Sequence, residues 1–291
     1  MIHWRARWFA QLAGAFRLAR VVSEALVETQ EGGIVHDPRV PGPWTLARFS
    51  VDAWRSTGRL REQAIGGRGA VVFLASGATA DGDDSDAATT GAGDADDGSA
   101  GTRDADDGEE WALRHYHRGG LPGRLLDDRF SWAGASMTRS FREWRLLCRL
   151  HNDGLPVPRP VAAAYRRRGL TYTADLITAR IPGAEPLVAH LVRGPIPAES
   201  WRRLGRCIRR FHDAGVFHAD LNVHNLLLDE SSLPWLLDFD RGRMRPPGGW
   251  CRANLERFAR SLRKTKASND TVHVTSADWA ALLAGYGQMP A

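Results

Sequence analysis

Lysine is almost absent from this chain. Of 39 lysine and arginine residues among 291, only Lys264 and Lys266 are lysine. Any chemistry that needs a lysine earlier in the chain is closed to it. Cysteine is also scarce: Cys148, Cys207 and Cys251 are odd in number and widely spaced. They fit neither a disulfide framework nor a zinc-ligand pattern, and they suit a reducing compartment. Cys148 and Cys207 fall in helical patterns and read as core residues. No apolar run approaches the roughly 18 residues of a membrane-spanning helix. Arg5, Arg7, Gln11, Arg17 and Arg20 interrupt the apolar core that a signal peptide would need. No internal repeat, zinc-finger spacing or aromatic-plus-basic RNA motif is found, so no nucleic-acid partner is expected.

What is present is unevenly charged. The net charge is +5, but residues 81–110 hold twelve acids against one base, Arg103, a net of −11, so the remainder carries +16. A body that basic suits a polyanionic partner, although a composition that favours arginine would produce part of the same excess. Residues 77–110 are almost entirely Gly, Ala, Ser, Thr, Asp and Glu and read as a disordered insertion between two strands. Such a tract costs little in a turn, because closure entropy grows with the logarithm of length.

Along the chain, Trp4, Trp8, Leu12 and Phe16 recur at four-residue steps with arginines mostly on other faces. Residues 1–22 therefore read as a basic amphipathic helix, suited either to a membrane interface or to packing on the body. Gly66, Gly67 and Gly69 enter the apolar run of residues 70–74, as a phosphate-covering turn would, although most such clusters are plain turns. Residues 111–116 read as the following strand and residues 138–152 as a helix with Phe141, Trp144, Leu147, Cys148 and Leu150 inside. Two strands are expected over residues 161–165 and 170–177, then a linker at Ile181-Pro182-Gly183. A strong helix over 197–214 buries Trp201, Leu204, Ile208 and Phe211, and helices follow near 250–265 and 276–286.

The chemistry concentrates after residue 216. His218-Ala219-Asp220 is followed by Asn225, then by Leu226-Leu227-Leu228, a turn over residues 229–234, Trp235-Leu236-Leu237 and Asp238-Phe239-Asp240. The two apolar runs read as a hairpin that returns Asp238 beside Asn225. Phosphoryl transfer needs one carboxylate to accept the proton of the attacking hydroxyl, and an amide oxygen and a second carboxylate to hold magnesium against the phosphates of ATP. Asp220, Asn225 and Asp238 have the spacing for these roles, with Asp220 as the catalytic base and Asn225 and Asp238 as metal ligands. A cation on the phosphates, held by a helix glutamate, is also required. With no lysine available, Arg114 is the candidate and Glu143 its partner; arginine can bind phosphate bidentately.

Residues 113–120 (Leu-Arg-His-Tyr-His-Arg-Gly-Gly), Ser140-Phe141-Arg142-Glu143, Leu155-Pro156-Val157-Pro158-Arg159-Pro160, His218-Ala219-Asp220-Leu221-Asn222 and Asp238-Phe239-Asp240-Arg241-Gly242-Arg243 together resemble the 3-deoxy-D-manno-octulosonic acid (Kdo) kinase family. The resemblance runs from about residue 60 to 265, apart from the acidic insertion. It implies an α+β, two-lobed protein-kinase-like fold with a small β-rich N-lobe and a reduced helical C-lobe. Residues 1–50 would then be an extension, 51–180 the N-lobe and 181–291 the C-lobe with the catalytic loop. It also implies ATP-dependent phosphorylation of the 4-hydroxyl of Kdo on a lipid A precursor in lipopolysaccharide core assembly, with Asp220 as catalytic aspartate. The expected setting is peripheral, on the anionic cytoplasmic face of the inner membrane.

The chain departs from protein kinases at Asp240, where the Asp-Phe-Gly motif has glycine, and no Ala-Pro-Glu follows. Only 51 residues remain after Asp240, which favours a small or lipid-linked acceptor over a docked peptide. Arg241 and Arg243 either face acceptor anions or pair with acids of their own loop. Two other readings share these residues: a different small-molecule kinase of the aminoglycoside or choline type, and a pseudokinase that only binds.

Overall fold

Strand β7 (Pro160–Arg168) shows the constraint that organises the sheet. Its first six residues are all buried, and three of them are alanines in succession, Ala162, Ala163 and Ala164. A strand buried on both faces cannot alternate apolar with polar, and small side chains let layers approach it from both sides. The computed structural model describes residues 22–66, 69–76, 108–118 and 128–287. The amphipathic helix read over residues 1–22, apart from Val22, and almost all of the acidic insertion, together with Gly67, lie outside these residues.

In chain order the elements are β1 (Ala25–Glu28), β2 (Gly32–His36), α1 (Val51–Ser56) after a 3-10 turn at Leu46–Phe49, β3 (Leu60–Gly66), β4 (Gly69–Ala75), β5 (Glu110–His115), β6 (Phe130–Ser131) and α2 (Arg139–Asn152). Then follow β7, β8 (Thr171–Ala179), β9 (Glu185–Pro186), α3 (Leu187–Arg193), α4 (Ala198–Asp213), β10 (Val216–Phe217), β11 (Leu226–Leu228), β12 (Pro234–Leu236), β13 (Arg243–Met244), α5 (Gly249–Ser268) and α6 (Ser276–Gly287). The result is a mixed α+β architecture. An antiparallel sheet runs β1-β2-β7-β8-β5-β4-β3, with β6 also on β8, and small sheets β12-β11-β9 and β10-β13 accompany the later helices.

One face of the large sheet meets α2: Ala163, Tyr165, Ala174, Leu176 and Tyr116 pack with Phe141, Trp144 and Leu147, in a core that continues into α4 and α5. The other face is covered mostly by residues that the sequence reading left in an extension, joined by Trp54 of α1. Val40, Trp44, Phe49 and Trp54 lie over Ile34, Val72, Leu74, Trp111, Leu113 and Ile177. Trp44 stacks on Trp111 at 6.0 Å, and Trp54 meets Trp111 edge-on at 6.1 Å. Strand β2 is an integral strand of the sheet, with Ile34 opposite Ala164. Its Gly32 has no substitute, because a Cβ there would stand 2.0 Å from the Tyr165 carbonyl oxygen. The extension read over 1–50 therefore supplies two strands and an outer layer. Its alternation was short, and nothing in it locally signals the alanine strand it pairs with.

The insertion also ends earlier than its composition suggests. Glu110 begins β5, and Glu109 accepts hydrogen bonds from Trp111 Nε1 (3.0 Å) and from Arg159. Helix α6 docks on α4 through glycines. A Cβ on Gly205 would stand 2.0 Å from Leu282 O, and one on Gly285 would stand 2.1 Å from Arg202 O, so neither position has room for a side chain.

A buried charge fixes the register between β5 and β8. Asp175 is 1% exposed and faces His115 across the ladder. Its carboxylate meets His115 Nδ1 at 2.7 Å and accepts from Arg166 at 3.0 Å. The Asp175 hydrogen bond outweighs burial and raises the His115 pKa above its ordinary value. A histidine whose pKa is raised on folding adds stability that is complete below its unfolded pKa of about 6.5 and is lost as pH rises through the folded value. The urea midpoint of the wild type is therefore expected to exceed that of His115→Gln at pH about 6, and the difference should shrink by pH about 9. A difference that grows with pH would assign His115 no such role.

Candidate active site

Arg114 stands at the centre of the site. It lies near the end of β5, where alternation turns Trp111 and Leu113 to the outer layer and Ala112, Arg114 and Tyr116 to the α2 side. Its guanidinium donates through Nη2 to Glu143 Oε2 at 2.5 Å and through Nη1 to Asp238 Oδ1. The planar fork thus joins a strand, a helix and the Asp-Phe-Asp segment in one contact, which the compact ammonium of lysine does not do as well.

Glu143 is 3% exposed and fully engaged. Oε2 also accepts from the Tyr116 hydroxyl at 2.5 Å, and Oε1 accepts the backbone N–H of Phe239 at 3.0 Å. Burial pushes its pKa up to about 7; Arg114 opposes this and the nearby Asp238 adds to it. Burial would raise Asp238 as well, but the Arg114 guanidinium outweighs it and holds this carboxyl below the usual carboxylate range. One cation is therefore shared by two carboxylates, and the site has negative charge to offer. Asp238 has a left-handed backbone, φ 59°, which aspartate tolerates better than most residues.

Asp240 makes a bidentate pair with Arg139, Nε to Oδ1 at 2.8 Å and Nη2 to Oδ2. Arg139 also lies over the Phe130 ring at 4.6 Å. A glycine in place of Asp240 could not make this contact. Arg139 and Glu143 are four residues apart on α2 and so share a face. That spacing was the available signal for Arg139, which sequence reasoning missed. Arg241 is exposed, with Nε 4.0 Å from Asp240 Oδ2, and Arg243 lies over the Phe217 ring at 5.1 Å.

The loop of Asp220 is braced from within. His218 is buried; its Nδ1 accepts from the Asp220 N–H at 3.2 Å and its Nε2 bonds Leu237 O at 2.8 Å. These partners define an imidazole protonated on Nε2, and burial lowers its pKa, which keeps the ring neutral. The Phe239 ring lies edge-on to it at 4.9 Å. His218 thereby ties the Asp220 loop to the Asp238 segment. Asn222 and Asn225 both donate to Asp220 O, at 3.0 and 2.9 Å. Asn222 Oδ1 accepts from the N–H groups of His224 and Asn225 at 2.8 and 3.2 Å. The expected hairpin is present, with Leu226 opposite Leu236, and the Leu237 N–H bonds Asn225 O at 2.9 Å. Asn225 is thus carried beside Asp238. Helix α5 adds Arg257, whose Nη1 is 3.7 Å from Asp220 Oδ1.

Of the residues singled out in the sequence, Arg114, Glu143 and Asp238 are in direct contact, and Asp220 and Asn225 share one loop. Gly66 and Gly69 pair at the turn end of the β3–β4 hairpin, with Val71 opposite Arg114, so the glycines lie beyond the Arg114 end of β5. Tyr116, Arg139, Asn222, Asn254 and Arg257 are the contributors that sequence reasoning did not assign.

A carboxylate on a braced loop, an amide beside a second carboxylate and a guanidinium held by a buried glutamate are the groups that phosphoryl transfer uses, and the class of protein is a kinase, an ATP-dependent phosphotransferase. More narrowly, the chain belongs to the lipopolysaccharide kinase (Kdo/WaaP) family, whose model matches residues 93–286. It is 44% identical over 171 residues to a 3-deoxy-D-manno-octulosonic acid kinase of Vibrio parahaemolyticus, covering 59% of this chain and 71% of that protein. It is 42% identical over 190 residues to one of Haemophilus influenzae, covering 62% and 78%.

Removing Arg114 leaves two carboxylates, one fully buried, without their cation. Arg114→Ala is expected to lower unfolding free energy by about 3 kcal/mol, the size of breaking a buried ion pair from one side. Glu143→Gln, which keeps the shape and leaves Arg114 its Asp238 partner, should cost less. Urea unfolding of both variants checks this order, and equal losses would contradict it.

Proposed function

We propose that this chain transfers the terminal phosphoryl group of ATP to the 4-hydroxyl of Kdo on a Kdo-linked lipid A precursor, in lipopolysaccharide core biosynthesis. The acceptor reading is carried by the likeness to relatives named 3-deoxy-D-manno-octulosonic acid kinase. The chemistry is supported by the meeting of Arg114 with Glu143 and Asp238 beside the Asp220 loop. We take the architecture as a two-lobed protein-kinase-like fold. The large sheet and α2 form an N-lobe that includes residues 22–50, and residues 181–291 form a C-lobe with the catalytic loop.

In this reading Asp220 accepts the proton of the attacking hydroxyl. Its loop is held from both sides by His218 and Asn222, so the carboxylate is positioned before the acceptor arrives. Arg114 carries the positive charge toward the nucleotide phosphates in place of lysine, oriented by Glu143. The glycine turn of Gly66, Gly67 and Gly69 covers the phosphates. Asn225 and Asp238 suit magnesium. The Asn225 Nδ2 is spent on Asp220 O, so its Oδ1 is the end left for a cation, and Asp238 retains Oδ2 when Oδ1 meets Arg114. Oxygen donors of this kind match a small hard cation. When bound, magnesium neutralises charge on the phosphates.

The setting we propose is peripheral, at the cytoplasmic face of the inner membrane. No helix among the described residues is long and apolar enough to cross a membrane. A body of +16 outside the acidic tract supports attraction to anionic lipid, at about 1 kcal/mol for each basic residue near the surface.

Mass spectrometry of Kdo-lipid incubated with ATP, magnesium and the purified chain should show a gain of one phosphate, and its absence would sink the reading. Asp220→Asn is expected to lower turnover by about 10²- to 10⁴-fold while nucleotide still binds. A variant retaining more than half the wild-type rate would remove Asp220 from the role of base. Asp238→Ala should weaken ATP binding in the presence of magnesium, measured calorimetrically, and have little effect without the metal. Unchanged magnesium dependence would exclude Asp238 as a ligand.

A further inference from the structure

We propose that Arg257 binds the carboxylate of the acceptor sugar and so selects a sugar acid over a neutral sugar at this site. The proposal rests on the Kdo reading above and adds to it the residue that recognises the acceptor's charge.

The starting point is the face that α5 turns to the catalytic loop. Asn254, Arg257 and Ser261 follow one another at steps of three and four residues and therefore share one side of the helix. Asn254 is buried and donates to His218 O at 3.1 Å. Two turns later, Ser261 Oγ accepts the Val223 N–H at 3.1 Å. These two contacts bracket Asp220 in the loop and Arg257 in the helix. The helix backbone at Arg257 is thus fixed against the loop from both sides.

Between the brackets, Arg257 Nη1 lies 3.7 Å from Asp220 Oδ1. That is too long for a hydrogen bond, so the contact leaves the donors of the guanidinium unspent. The Arg257 side chain is 48% exposed and that of Asp220 is 27% exposed. An exposed pair of this kind contributes little to stability. A structural clamp for the loop is already supplied by Asn254, Ser261, His218 and Asn222, none of which needs a charge. What Arg257 adds is a solvent-facing planar fork beside the base, a shape matched to a carboxylate.

The acceptor has a group to meet it. A 3-deoxyoctulosonic acid carries its carboxylate on the ketal carbon itself, and a single methylene separates that carbon from the one that bears the 4-hydroxyl. The hydroxyl and the carboxylate are therefore close neighbours on one sugar. A hydroxyl directed at Asp220 places the carboxylate within reach of a group alongside Asp220, where Arg257 stands. The lipid phosphates are the other anions of such an acceptor, but they lie beyond the glycosidic link.

The test uses the full chain and three acceptors: native Kdo-lipid, the same lipid with the Kdo carboxylate converted to a carboxamide, and the same lipid with its phosphates removed. Arg257→Ala should raise KM for the native acceptor about tenfold to a hundredfold, with ATP affinity and kcat within about twofold of wild type. The carboxamide should cost the wild type a similar factor and cost Arg257→Ala almost nothing more. Arg257→Lys should recover part of the loss. Removing the lipid phosphates should affect wild type and variant alike. If the carboxamide penalty persists in full in Arg257→Ala, or if kcat falls with KM unchanged, Arg257 acts on Asp220 and does not bind the sugar acid. If phosphate removal erases the difference between wild type and variant, the anion at Arg257 is a phosphate. No wild-type turnover on the native acceptor would overturn the acceptor reading itself, and this proposal with it.

Discussion

A guanidinium shared between two carboxylates holds the site together. Arg114 contacts Glu143 on α2 and Asp238 after β12, and these two residues are separated from it by 29 and 124 positions in sequence. Burying one cation with two anions is costly unless hydrogen bonds satisfy the remaining lone pairs. Tyr116 and the Phe239 N–H supply them for Glu143. The charge count still leaves an excess anion, and burial has already moved Glu143 towards neutrality. A pocket with this balance favours whatever brings positive charge to Asp238, and that is the condition a metal–nucleotide complex would meet. In a chain with no lysine before Lys264, arginine performs this bridging, and its fork reaches two partners at once.

Around that contact the structure uses neutral groups to hold charged ones. His218 is buried and uncharged, and it links the backbone of Asp220 to that of Leu237. Asn222 and Asn225 hold the carbonyl of Asp220. Asn254 and Ser261 attach α5 to the same loop. None of these struts competes electrostatically with the carboxylates they position. The two charged exceptions are Arg139, which is half-buried and pairs with Asp240, and Arg257, which is exposed and lies near Asp220.

The large sheet is stabilised from both sides by layers of different origin. Helix α2 covers one face and carries Glu143. Trp44, Phe49 and Trp54 cover the other and rest on Trp111, in the same strand as Arg114. Full burial of such aromatic side chains contributes on the order of 2–3 kcal/mol each. The outer layer therefore steadies the strand that presents the central arginine, although it contributes no atom to the site.

Much of the site was legible in the sequence because its chemistry is local. The His218–Asn225 loop, the return hairpin and Asp238 lie within one short stretch, and their order and spacing suggest the proposed roles. Helices α2 and α4 were legible from the period of their apolar residues, and Arg114 from its place in the order of elements once lysine was ruled out. The membership of β1 and β2 in the sheet was not legible, because strand pairing is set by the partner and β2 finds its partner about 130 residues later, in the alanine strand β7. Nor was the pairing of Asp240 with Arg139, or the approach of Arg257 to Asp220, since each joins residues that only packing brings together. Sequence by itself determined which functional groups the chain owns and the order in which it presents them. Tertiary structure decided which of its many arginines meet a carboxylate, because that depends on direction and burial, and neither is written in the spacing of charged residues.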